Sequence, residues 1–90
     1  MQEKIISIIE RYKNDERIKA SILDDSFNNE ADYITFEFCG GLNGNGVWSN
    51  YFKALSEICA DIKSEFENVW VVSLENDCID DIFYCTLGVR

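Results

Sequence analysis

Residues 33–52 read YITFEFCGGLNGNGVWSNYF. The first six positions alternate: Ile34, Phe36 and Phe38 fall on one side, Tyr33, Thr35 and Glu37 on the other. That period of two predicts a half-buried strand. From Trp48 the apolar residues step by four and three, through Phe52, Leu55, Cys59, Ile62 and Phe66. Such a stripe predicts one helix from about Gly46 to Glu67, with Asn45 or Ser49 as its N-cap. Between strand and helix lie Gly40, Gly41, Gly44 and Gly46. Strand, glycine loop and helix form a setting in which backbone N–H groups hold phosphate. The spacing here fits neither the P-loop nor the dinucleotide fingerprint, and no Lys-Ser/Thr pair follows. Asn43-Gly44 and Asn45-Gly46 are turn formers, so the loop reads first as a chain reversal.

The same patterns extend outward in both directions. Ile5, Ile8, Ile9 and Tyr12 recur at helical spacing between Gln2 and Lys13, before Asn14 and Asp15 break the pattern. Residues 17–23, RIKASIL, set Ile18, Ala20 and Ile22 against Lys19 and Ser21. This predicts a strand, with a second helical turn as the alternative. Residues 24–32, DDSFNNEAD, read as a polar connection. Downstream, NVWVVSL (68–74) has Trp70, Val72 and Leu74 on one face and apolar Val69 and Val71 opposite, as for a strand inside a sheet. ENDCIDD (75–81) is a turn, and IFYCTLGV (82–89) a strand with Phe83, Cys85, Leu87 and Val89 inward. A turn this short makes the last two strands an antiparallel hairpin. The expected fold is therefore α+β in the order α-β-β-α-β-β. It has a four-stranded antiparallel or mixed sheet and both helices on one face. Residues 1–90 form a single domain.

The composition narrows the function. Net charge is −9, from 17 acids and eight bases, and it is uneven. Residues 1–25 hold six acids against five bases, whereas residues 26–90 hold eleven acids against Lys53, Lys63 and Arg90. Phosphate backbones would be repelled, so direct nucleic-acid binding is not expected. A basic protein surface would be attracted. Histidine is absent, which removes the usual base for a serine or cysteine nucleophile, and no enzyme activity or cofactor is expected. Cys39, Cys59, Cys78 and Cys85 show no C-x-x-C spacing and read as reduced, partly buried thiols. The opening MQEKIISIIERYK lacks a signal peptide's apolar stretch, and no apolar run approaches the ~18 residues of a membrane span. A soluble, cytoplasmic protein is expected.

One segment resembles a known family. Residues 5–25, IISIIERYKNDERIKASILDD, are similar to the N-terminal region of the phage uracil-DNA glycosylase inhibitor, an acidic DNA mimic of comparable length. The shared features are an Ile-Ile-Glu-basic helix step, a polar turn, and a strand ending Ser-Ile-Leu. The resemblance implies that this strand enters the target's DNA groove, with Ala20, Ser21 and Ile22 at the contact positions. Ala20 stands where the family has a carboxylate, leaving Asp24 to compensate. Small size, acidity and α+β pattern are also similar, as a class, to phage anti-CRISPR proteins.

Three functional readings result. The first is a non-enzymatic inhibitor that presents carboxylates to the basic groove of a nucleic-acid-processing enzyme. Its contact residues would be Ser21, Ile22, Asp24, Asp25, Glu75, Asp77, Asp80 and Asp81. The second is a structural or adaptor subunit that binds through an apolar face or sheet edge, with Trp48, Tyr51 and Trp70 as anchors if exposed. The third is a phosphate-ligand binder using the 40–46 glycine loop.

Overall fold

The computed structural model describes residues 2–15, 20–27, 31–38, 47–77 and 82–90, of which 2, 24–27, 47–50 and 77 are described by backbone alone. Two helices and four strands follow in the expected order. They are α1 (Gln2–Glu10), β1 (Ala20–Phe27), β2 (Asp32–Phe38), α2 (Val47–Lys63), β3 (Val69–Asp77) and β4 (Ile82–Val89). The strands form one antiparallel sheet in the order β1-β2-β4-β3.

That order follows from the path of α2. β2 and β3 both run antiparallel to β4, hence parallel to each other, and α2 is the crossover that joins them. The β3–β4 hairpin then lays β4 back between them, making a split β-α-β unit. Burial matches this placement: Phe83, Cys85, Leu87 and Val89 of β4 are at most 1% exposed, as are Ile34, Phe36 and Phe38 of β2. With them pack Ile5, Ile8 and Ile9 of α1 and Tyr51, Ala54, Leu55, Ile58 and Ile62 of α2. All of these side chains belong to one core, so both helices cover the same face of the sheet.

Local bonds explain the ends. α1 tightens into i→i+3 bonds, with the N–H groups of Arg11, Tyr12 and Lys13 donating to the carbonyls of Ile8, Ile9 and Glu10 at 3.0–3.3 Å. It thus stops at Glu10, short of the predicted Lys13. After Lys63 the chain turns: Phe66 N–H donates to the Ile62 carbonyl at 2.9 Å, and Ser64 Oγ to the Asp61 carbonyl at 2.7 Å. α2 therefore ends four residues before the predicted boundary.

Three sequence-based expectations are corrected. First, β1 continues to Phe27, with Asp24–Phe27 paired to Thr35–Asp32, so half of the predicted polar connection is strand. Ladder hydrogen bonds to β2 outweigh the low strand propensity of Asp and Ser. Second, the buried stripe of α2 is rotated toward Tyr51, Ala54 and Ile58, leaving Phe52 51% exposed on its flank. Alanine at 54 lets the helix sit close to the sheet, and Tyr51 fills the space at its start. Third, β3 is an edge strand, and a bulge at Val72 puts Val69, Val71 and Leu74 on the helix side but Trp70 and Ser73 on the other.

Trp70 lies across Gly88, its register partner on β4, and meets Tyr33 edge-on at 6.4 Å between ring centroids. A Cβ at Gly88 would stand 2.5 Å from Trp70 Cζ2 and 2.7 Å from Nε1. Gly88→Ala is expected to displace the indole and lose its contact with Tyr33, lowering stability by about 1 kcal/mol. Urea unfolding should show that loss, and the substitution should cost almost nothing in a Trp70→Ala background.

Candidate functional site

With both helices on one face, the opposite face of the sheet is left open by the described residues. Register assigns it Ser21, Asp24 and Ser26 of β1, Tyr33, Thr35 and Glu37 of β2, Ile82, Tyr84, Thr86 and Gly88 of β4, and Trp70, Ser73, Glu75 and Asp77 of β3. Three rows cross it. Ser21, Glu37, Tyr84 and Glu75 form one, Asp24, Thr35, Thr86 and Ser73 the next, and Ser26, Tyr33, Gly88 and Trp70 the third. Adjacent strands lie about 4.8 Å apart, so Glu37 and Glu75 stand roughly 10 Å apart with Tyr84 between them. In the middle row the Thr35 and Thr86 hydroxyls share a 2.8 Å hydrogen bond.

Charge is sorted between the layers. The four strands contain six acids (Asp24, Asp25, Asp32, Glu37, Glu75 and Asp77) and neither lysine nor arginine. Among the described residues, every base lies on a helix, in the turn after α1, or at Arg90. The described ion pairs also belong to the helix layer, Lys4 with Glu65 at 3.5 Å and Arg11 with Asp61 at 4.0 Å. Tyr12 Oη donates to the same Asp61 carboxylate at 3.4 Å.

Of the residues predicted to contact a partner, Ser21, Asp24, Glu75 and Asp77 occupy positions of the open face, and Ser21 and Glu75 are exposed. Ile22 is half-buried and packs against the core, and Asp25 takes a helix-side register position. Asp80 and Asp81 lie outside the described residues. The two predicted acidic segments belong to opposite edges of the sheet, with Glu37 between them. Glu37, Tyr33 and Tyr84 were missed as site residues, and Trp70 was named only as an anchor of the apolar reading. The signal for the first two was the alternation in YITFEF, whose polar side has no cover once both helices share the other face.

The predicted aromatic anchors separate. Tyr51 is 1% exposed and belongs to the core, whereas Trp70 is 37% exposed. The side chain of Trp48, and the 40–46 loop of the phosphate reading, lie outside the described residues. A cleft of about 170 Å³ opens beside Ser21 and Ile22, lined also by Glu10, Lys13 and Ala20. It falls below the usual size of small-molecule pockets. Among the described residues no group of three His, Cys, Asp or Glu side chains converges, and no helix is long and apolar enough to cross a membrane. No family model, curated protein or solved structure matches the chain.

Cys59 and Cys85 are free thiols. Burial pushes both upward, Cys85 from 9.0 to about 12 with a further contribution from Cys59. They stay protonated at neutral pH and are poor nucleophiles and metal ligands. Site-resolved alkylation should leave Cys85 unmodified in the folded protein and label it after unfolding. Because the folded pKa lies above the unfolded one, the native state holds the proton more tightly. Its stabilising contribution is complete below about pH 9 and should be lost between pH 9 and 12. Urea midpoints across that range measure it.

Proposed function

We propose that this protein is a non-enzymatic inhibitor that covers a basic, nucleic-acid-binding site on a target enzyme with the open face of its sheet. Sorting of charge is the observation that carries the reading: four strands with six acids and no base, four of those acids at open-face positions, backed by helices whose bases nearly balance their acids. Glu37 and Glu75, about two strand spacings apart, would receive cationic side chains, and Tyr84 between them and Trp70 two rows away offer faces to guanidinium groups. Ser21 extends the same row to the edge strand that the resemblance to the glycosylase inhibitor singles out. A phage anti-defence or immunity role fits an acidic protein acting in this way. Its site of action would be the cytoplasm, where nucleic-acid-processing enzymes work.

The exposed apolar residues of β3 favour a second reading, a subunit that binds through its sheet edge. Ionic strength separates the two, since charge-based binding is screened by salt and an apolar edge is not. A target captured from the native cell should be released as salt rises and displaced by duplex DNA. Glu37→Gln with Glu75→Gln should weaken binding at least about tenfold, since truncating one partner of a desolvated charge pair costs about 2 kcal/mol or more. Undiminished binding by that double variant, or by one also neutralising Asp77, Asp80 and Asp81, would overturn the proposal.

A further inference from the structure

The open face changes character along its strands. Of its four acids, Glu37, Glu75 and Asp77 take positions where β2 and β3 end, and Asp24 stands one row in. The row of Ser26, Tyr33, Gly88 and Trp70 has none. Beyond that row the signs balance, with exposed Lys63 and Arg90 against exposed Glu65 and Glu67. Tyr33 and Glu37 are four residues apart on one strand, so the carboxylate end and the uncharged row are separated by roughly 13 Å.

At the uncharged row Trp70 presents a flat surface. Around the place a Cβ on Gly88 would take, Trp70 Cε2 lies nearer than Cζ2 and Nε1, both bonded to it. That order puts Gly88 under the face of the ring, since an edge-on indole would bring the two outer atoms closer than Cε2. Gly88 is accordingly buried although its register position is on the open face. Tyr33 stands beside the indole with its ring at 88°. The other face of the indole points away from the sheet, and Trp70 is 37% exposed.

We infer that the docking surface has two parts and that the partner matches both. Cationic side chains meet Glu37 and Glu75, and an aromatic ring about 13 Å from those cations stacks on the free face of Trp70. The inference rests on the charge-based reading above and adds a second, uncharged contact to it. Tyr84 and Trp70 both offer a face to a planar group, but their rows differ. Tyr84 has a glutamate on each side, which matches a guanidinium. At Trp70 a guanidinium would find no carboxylate in its row and Arg90 only two residues beyond Gly88, so an uncharged ring is the better fit. The two contacts together fix which way round the partner lies along the strands.

Two synthetic peptides test this on the full chain: Arg-Arg-Gly-Gly-Gly followed by tryptophan, and the same peptide ending in serine. Nuclear magnetic resonance titration at low and high salt measures both. The tryptophan peptide should bind at least about fivefold more tightly, and that ratio should hold as salt weakens both. The indole N–H resonance of Trp70, assigned by its loss in Trp70→Phe, should shift with the tryptophan peptide alone. Trp70→Ala should abolish the preference, whereas Leu74→Ser on the helix side of the same strand should leave it unchanged. Circular dichroism checks that each variant folds, and Trp70→Leu replaces Trp70→Ala if that one does not. Equal binding of the two peptides, or a preference that survives the loss of Trp70 or disappears with Leu74→Ser, would overturn the inference, as would no binding of the tryptophan peptide up to millimolar concentration. Equal binding that still falls in Glu37→Gln with Glu75→Gln would remove the second contact and leave the charge-based function standing by itself.

Discussion

Three aromatic rings hold the chain path in place. Phe38 ends β2, Tyr51 lies near the start of α2, and Phe83 is the second residue of β4. Phe38 stacks on Phe83 at 5.7 Å between centroids, and Tyr51 meets both, at 5.7 and 5.3 Å. Phe36 adds a further ring at 5.3 Å from Phe38. These contacts tie the point where the chain leaves the sheet to the point where the last strand re-enters it. With that corner fixed, α2 crosses the sheet on one side, and Ala54, Leu55, Ile58 and Ile62 follow at helical spacing into the core. The open face exists because both helices are committed to the other one.

Much of this was legible in the sequence because the residues concerned read only one way. YITFEF and IFYCTLGV alternate without interruption, and both form strands with the predicted inward sets. Ile5, Ile8 and Ile9 likewise fix α1 and its buried side. Difficulty arose where one residue broke the count. NVWVVSL alternates on paper, but the extra residue at Val72 reverses the faces beyond it, so Leu74 joins Val69 rather than Trp70. No local pattern announces a bulge. The edge position of β3 was hidden for a related reason, since an apolar residue on each face looks the same in a covered strand as in an edge left bare.

The site was partly legible too. Acidity pointed to carboxylates, and four of the eight named positions fall on one face. Which acids face together depends on register across four strands, and composition does not contain that information. Glu37 illustrates the gap: a single acid in an apolar strand attracts no notice until Ser21, Tyr84 and Glu75 line up beside it.

The sorting of charge between the two layers has a consequence of its own. A sheet with six acids and no base, backed by helices in which Lys4, Lys53 and Lys63 nearly balance Glu3, Glu10, Glu57 and Asp61, gives the described elements a dipole moment roughly normal to the sheet. A field from a basic surface would act on that dipole as a torque before any contact forms, turning the open face toward the surface during approach. Association would then sample fewer unproductive orientations than net charge alone implies. Moving the same charges evenly over both layers would keep the attraction and lose the alignment.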